Sequence, residues 1–575
     1  MVTKLTIKDT FVRFYRVRIY NTVCAFCTCV CIQINVVITD LGFVLKYVLS
    51  LKFISRDGQY KILVFSGVLL TSLSFYSAPH AYANNLAIEN VELVDQDTEA
   101  DTIEIQFDIS WNNAYADLTG TDAVLDAVWV VVKISGSDEH LTLDVSGLNP
   151  AGFQRGDKQS GSAFALLDIV VTEDRKGAFI QPGDEQSAAG TMDFHDVSLK
   201  WSYVEDGYSD SNADDQSVEV LGFEMVYVHE GSFEIGDVTN AVASFMSGYP
   251  SGKVNETVDS EDMISFRNNS TASNYWYYQS GSNTNEDASG TAFDLPGEFP
   301  KGYKGFYIMK TEISEGLYTD FYNNLTTNQK ASRVAGSSAG QYKAVNNINW
   351  WDLAAFCDFF ALRPMTEMEY EKAARGKASR VANEYAWGST SITACSGLTN
   401  GGATSEVCSG PAGANTNWDG VMGNAARVGM FATASSTREQ AGASYYGVLD
   451  LTGNVWEMVV SVGHSTGRLF QGTHGDGRVS TASSYEGNAT NSDWPGWDFL
   501  NPTRGLDDVN TLRGVGMKGG GAETYTEANG EISDREEAAN WSRLNSYDGM
   551  DFEVGGRCVR TAPQIMVDYF ESEKS

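Results

Sequence analysis

The sequence predicts an α+β protein in which an all-β sandwich precedes a domain with little regular secondary structure. Three features lead there. Thr102-Ile103-Glu104-Ile105-Gln106-Phe107-Asp108-Ile109 alternates polar and apolar residues, as a strand with one buried face must. Thr366 and Glu369 form a capping box ahead of a helical run that Gly376 closes, the boundary signals of a short helix. Beyond Tyr385-Ala386-Trp387-Gly388 the chain turns to Gly, Asn, Ser and Trp with no sustained period, which reads as loops and short strands until Arg557-Cys558-Val559-Arg560.

At 575 residues, with 42% apolar and 12% aromatic residues, the chain can fill two or three domain cores. Its net charge is -35, and residues 1–83 hold nine Lys/Arg against three Asp/Glu, so the remainder is six charges more negative still. Such a surface repels phosphate backbones and anionic membranes, and nucleic acid is not an expected partner. Lys61, the apolar run Ile62 to Leu70 and Ala81-Tyr82-Ala83 together form a secretory signal with an A-x-A cleavage site. Residues 1–60 are then either an N-terminal extension or the product of an upstream start site, residues 61–83 a signal peptide, and the protein is expected to be secreted or at the cell surface. The uncharged run Ile19 to Thr39 is a membrane-span candidate diluted by Asn21, Gln33 and Asn35, so membrane association is expected only through the extension.

Cysteine usage agrees with export. Cys24, Cys27, Cys29 and Cys31 precede the cleavage site, and their spacing fits no standard zinc pattern. Cys357, Cys395, Cys408 and Cys558 remain, an even number that suits two disulfides in an oxidising compartment.

In chain order, residues 84–204 read as the sandwich, with Ala127-Val128-Trp129-Val130-Val131-Val132-Lys133-Ile134 as its second clear strand. Residues 205–220 read as an acidic linker. Within it Asp210-Ser211-Asn212-Ala213-Asp214 looks like a calcium loop, but Asp215 stands where that loop needs Gly and Leu221 where it needs Glu. Residues 221–565 form the second domain, opening on a strand, turn and strand from Phe223 to Gly236. Residues 237–300 are polar and loop-like. Phe306 to Ile313 leads into a helix that Ser314 can cap, and Asn349 starts another that buries its aromatic face. Residues 566–575 form a tail.

Two segments of the second domain are specific: Arg363-Pro364-Met365-Thr366-Glu367-Met368-Glu369-Tyr370-Glu371-Lys372-Ala373-Ala374-Arg375-Gly376, and Gly447-Val448-Leu449-Asp450-Leu451-Thr452-Gly453-Asn454-Val455-Trp456-Glu457. They resemble the formylglycine-generating enzyme, or sulfatase-modifying factor, family, whose fold is a compact variant of the C-type lectin fold. Phe223 to Gly236 is similar to the hairpin that opens that fold. The sandwich resembles, more distantly, domains that precede such modules in bacterial exported proteins.

The resemblance carries chemistry with it. Formylglycine-generating enzymes oxidise a substrate cysteine with oxygen, holding copper(I) between two thiolates, soft ligands that this ion prefers. That pair follows a segment matched by Lys518-Gly519-Gly520-Gly521, which puts the thiol positions near Thr524 and Asn529. No cysteine lies between Cys408 and Cys558, so neither copper nor any catalytic residue is expected. The resemblance also implies a Cys357 to Cys558 disulfide, leaving Cys395 and Cys408 as a local bridge or two free thiols. Calcium is expected, ligated by the side chains of Asp450 and Glu457 and the carbonyls of Gly453 and Val455, since Ca²⁺ needs several hard oxygens presented together. Alternatively, the two acids accept backbone hydrogen bonds in a buried turn.

Other motifs fail on context. Gly336-Ser337-Ser338-Ala339-Gly340 lacks the buried strand a nucleophile elbow needs, and Gly514-Val515-Gly516-Met517-Lys518-Gly519 lacks a βαβ unit. The expected function is a non-catalytic recognition module for a protein or glycan ligand. Trp494, Trp497, Tyr525, Trp541 and Tyr547, set among Asn, Asp, Ser and Gly, are its candidate binding surface, or alternatively core filling. The alternatives are a formylglycine-generating oxidase that matures sulfatases, a structural part of a cell-envelope assembly, and a retroelement-diversified receptor.

Overall fold

The computed structural model divides the chain into two compact units, Met1–Ala78 and Pro79–Ser575. It describes five strands of the first unit and, in the second, residues 85–567 apart from 118–123, 187, 239–243, 248–255, 267–275, 279–285, 287–291, 337–339, 419, 421, 434, 502, 504, 524–526 and 545–553. In the first unit Gln33–Asp40, Leu45–Ile54 and Tyr60–Val68 pair as an antiparallel meander. Among the described residues no helix is long and apolar enough to cross a membrane.

The second unit begins with a β-rich layer: β1 (Ala87–Asp97), β2 (Thr102–Ala114), β3 (Val124–Ile134), β4 (Gly147–Leu148), β5 (Gln154–Lys158), β6 (Leu167–Val171), β7 (Ala178–Pro182) and β8 (Gly190–Ser202). One antiparallel sheet runs β5-β8-β2-β1. In β2 the side chains of Ile103, Ile105, Phe107, Ile109 and Trp111 are buried while those between them are partly exposed, the alternation the sequence predicts.

Strand β3 behaves differently. Every residue from Leu125 to Lys133 is buried, so both of its faces are covered. The cover comes from the second domain, whose elements are β9 (Val218–Val228), β10 (Phe306–Met309), α1 (Glu315–Asn324), α2 (Trp350–Phe359), β11 (Arg363–Pro364), α3 (Glu367–Arg375), β12 (Trp456–Val460), β13 (Val515–Lys518), β14 (Val554–Gly555) and β15 (Cys558–Thr561). Trp129 Nε1 donates to the Phe360 carbonyl at 2.8 Å, and the Lys133 ammonium sits 3.8 Å over the Phe359 ring.

The two domains share more than a contact. A single sheet passes through both in the order β4-β6-β7-β3-β9-β10-β15-β11. Strand β9 pairs with β3 from Val218 to Val226 on one edge and with β10 from Met225 to Val228 on the other. The sequence boundary at residue 221 therefore falls inside a strand common to both. One buried cluster runs without a break from Leu86 through Trp129 to Phe356 and Cys558. Lys310 bridges Asp126 of β3 at 2.7 Å and Glu224 of β9 at 3.1 Å, and Arg560 pairs with Asp174 at 2.6 Å.

Two expectations need correction. The acidic tract is mostly exposed, as expected, but it is anchored at two points: Asp206 accepts from the Thr142 amide and hydroxyl and from Trp201 Nε1, and Ala213 is fully buried. A carboxylate with three donors beside it is fixed rather than solvated. The strands within Phe223 to Gly236 do not form a hairpin. Phe233–Ile235 pairs instead with Glu256–Val258, because the edges of β9 are already occupied.

The helix boundaries are as the sequence reads. Ser314 caps α1, Asn349 with Asp352 and Thr366 with Glu369 close capping boxes on α2 and α3, and Gly376, at φ 65°, ends α3. Cys357 of α2 is bonded to Cys558 of β15, closing a separation of 201 residues, worth about 5 kcal/mol in the chain-entropy model.

Because β9 belongs to both domains, a fragment of residues 84–216 lacks it and is expected to be unfolded by far-UV circular dichroism and amide NMR. The full second unit is expected to melt in one calorimetric transition. Two resolved transitions would show instead that the sandwich folds alone.

Candidate functional site

The turn from Gly447 to Glu457 is built by left-handed backbone. Gly447 and Gly453 take φ of 90° and 89°, and Asp450 and Asn454 take 60° and 64°. A Cβ on Gly453 would overlap the Asn417 carbonyl, so the close approach there needs glycine. The coil delivers three groups to one place. Asn454 Nδ2 donates to Glu312 at 2.6 Å, the Val455 amide donates to the other Glu312 oxygen at 3.0 Å, and Asp450 accepts from the Gly429 amide at 2.5 Å.

At the centre stands Arg557. Its Nε and Nη2 donate to the two oxygens of Glu457 at 2.6 and 2.7 Å, Nη2 reaches the Leu449 carbonyl at 2.8 Å, and Nη1 reaches the Met309 and Lys310 carbonyls at 3.0 and 3.4 Å. All five donors of the guanidinium are used. Burial raises the pKa of Glu312, Asp450 and Glu457, Glu312 most of all because the other two carboxylates add to it. Burial also works against the charge on Arg557, yet the surrounding acids hold its pKa above the ordinary value.

Asp450 and Glu457 are thus brought together, as the calcium expectation requires. The donor set nevertheless does not fit calcium ligation through Glu457. Both of its oxygens are held by Arg557, and a second cation beside that guanidinium would be repelled. Among the described residues no group of three or more His, Cys, Asp or Glu is placed to hold a metal ion.

The segment matched to the thiol-bearing region lies alongside. Lys518 of β13 is the register partner of Glu457, and the Gly453 amide donates to the Gly519 carbonyl at 2.9 Å. Lys518 is buried, its ammonium donating to the Ile532 and Asp534 carbonyls beside the Tyr370 ring. Burial lowers its pKa. Of the two thiol positions, Asn529 is half-buried with its amide 3.3 Å from Glu536, and Thr524 lies outside the described residues. Cys357–Cys558 and Cys395–Cys408 are both disulfides, with S–S distances of 2.04 and 2.11 Å.

Three of the five candidate aromatic residues are described. Trp494 is fully buried with Nε1 on the Thr473 carbonyl at 3.0 Å, while Trp497 and Trp541 are half-buried against the main core. Tyr525 and Tyr547 lie outside the described residues. The apolar side chains that do protrude nearby are Phe499 and Leu500, 62% and 89% exposed. A cavity of about 300 Å³ opens elsewhere, between Arg363, Glu369, Glu261, Lys304, Gln471 and Thr561. Its lining comes from five separated segments, and of these only the Arg363 to Glu369 stretch falls in a motif the sequence singles out.

The comparisons agree with the motif reading. Residues 212–499 match the family model of the sulfatase-modifying factor enzyme 1-like domain, and the match covers half of the chain. The Gly447 to Glu457 turn lies within it; Lys518 and Arg557 lie beyond it. No curated protein matches the chain.

Replacing Arg557 tests the central cluster. Arg557→Gln leaves three buried carboxylates without their cation and is expected to cost about 3–5 kcal/mol. A carboxylate whose folded pKa stands above its unfolded value binds its proton more tightly when folded, so its contribution to stability falls as pH rises past the unfolded value. Without the guanidinium those pKa values climb further. The Tm deficit of the variant is therefore expected to be wider at about pH 8 than at about pH 5; a deficit that narrows as pH rises would overturn this account. Chelating calcium from the parent protein is expected to leave its Tm unchanged, and a fall would restore calcium to Asp450 and the Gly453 and Val455 carbonyls.

Proposed function

The chain belongs to the sulfatase-modifying factor family, and we propose that it is an exported, non-catalytic recognition module built on that family's C-type-lectin-like scaffold. One observation carries the reading. Every cysteine beyond residue 31 is consumed in the Cys357–Cys558 and Cys395–Cys408 bridges, and none stands between Cys408 and Cys558, where the resemblance puts the copper-binding pair. Gly521, Thr524 and Asn529 offer hard or no donors to an ion that needs soft thiolates.

Among the described residues the scaffold around that position is nonetheless in place. The capped helices, the Gly447 to Glu457 turn and its Arg557 partner are all in place, so what is missing is chemistry rather than fold. Two disulfides in the second domain support export, since such bonds persist in oxidising compartments, and the Lys61 to Ala83 segment has the form of a signal. The acidity of the chain leaves a protein or glycan as the partner and disfavours nucleic acid.

The test is direct. Copper-loaded protein incubated with a Cys-x-Pro-x-Arg peptide is expected to consume no oxygen and form no aldehyde above a protein-free control. Sustained turnover would make the chain an oxidase and overturn the proposal.

A further inference from the structure

The cavity beside Arg363 is built rather than incidental. Its floor is the buried Arg363 and Glu369 pair, joined by two bonds of 2.8 and 2.6 Å, and Glu369 is fixed in turn by the Thr366 amide at 3.0 Å. One wall is Glu261, whose carboxylate accepts from the amides of Lys301, Tyr303 and Lys304 at 2.7, 2.9 and 3.0 Å. The opposite wall, Gln471 to Thr473, is held by Asp493, which accepts from the amides of both residues and from the Thr473 hydroxyl. The backbone of both walls and the floor pair are thus held in place before any ligand arrives, and what a ligand must order is the long side chains at the rim.

Within this frame the lining mixes donors and acceptors. Lys304, Gln471 and Glu298 are exposed and make no side-chain hydrogen bond among the described residues. Thr561 accepts from Arg363 Nη2 at 3.2 Å, which leaves its own proton to donate. Pro300 adds a small apolar surface.

Charge and shape narrow the ligand. Lys304 and Arg363 face Glu261, Glu298 and Glu369, so the lining carries one net negative charge and disfavours phosphates and carboxylates. Alternating donors and acceptors suit hydroxyl groups, each of which does both. The volume of about 300 Å³ is at the lower end of ligand cavities, room for a single ring. An extended peptide finds no edge to join, because the terminal strand β11 is two residues long and Pro364 has no N–H.

We infer that this cavity binds one neutral saccharide unit, which deepens the recognition reading and rests on it. The experiment is saturation-transfer NMR and calorimetry on the full chain with glucose, galactose, mannose and N-acetylglucosamine. At least one is expected to bind with a Kd in about the millimolar range, and Lys304→Ala and Gln471→Ala, both at exposed positions, are each expected to weaken it about tenfold with Tm unchanged. No transfer to any of the four sugars, or binding indifferent to both variants, would overturn the assignment. So would glycine or alanine binding in their place with the same sensitivity, which would mark a site for zwitterions. Failure here with the oxidation assay still silent removes the cavity assignment alone; aldehyde formation in that assay removes the recognition reading.

Discussion

The buried guanidinium of Arg557 is the constraint around which the second domain is arranged. It ties β15 to the Glu457 carboxylate of β12 and to the Met309 and Lys310 carbonyls at the end of β10, and it reaches the turn through Leu449. Burying it with Glu312, Asp450 and Glu457 costs desolvation that the mutual attraction only partly returns. What the cluster supplies is position. A guanidinium with five donors and five fixed acceptors admits one arrangement of the surrounding backbone, and the left-handed residues of the turn exist to meet it.

A second constraint is that β9 serves two sheets' worth of neighbours at once. Its partner β3 is buried on both faces only because α2 lies against it, and α2 is fastened to β15 by the Cys357–Cys558 bridge. Arg560, two residues beyond Cys558, reaches back to Asp174 and stacks 4.7 Å over Trp129. The β-rich layer is therefore held by the same short strand that Arg557 immediately precedes. A ligand seated on either domain meets a surface that cannot swing relative to the other.

The parts of the fold legible in the sequence are those with local causes. Caps at Ser314, Asn349 and Thr366 announce themselves within four residues, and the alternation of β2 needs no knowledge of its partner. The parts that were not legible depend on distant residues. Asp206 reads as solvated acid until Thr142 and Trp201 are brought to it, and Trp494 looks like part of a surface until the loop around Thr473 buries it. Glu457 reads as a metal ligand because its counter-charge stands 100 residues away at Arg557. The cavity is assembled from five segments, and its motif residues Arg363 and Glu369 do not by themselves announce it.

These relations explain how the scaffold tolerates the loss of the family's thiols. The Lys518 to Gly521 segment is held to the turn by backbone bonds, Gly453 to Gly519 and the ladder between β12 and β13, and by the Lys518 ammonium on two carbonyls. None of these involves a side chain at the thiol positions. The bridge that staples α2 to β15 uses different cysteines, Cys357 and Cys558, the second of them the residue after Arg557. Among the described residues, the contacts that hold this part of the fold are thus made by groups other than those at the thiol positions.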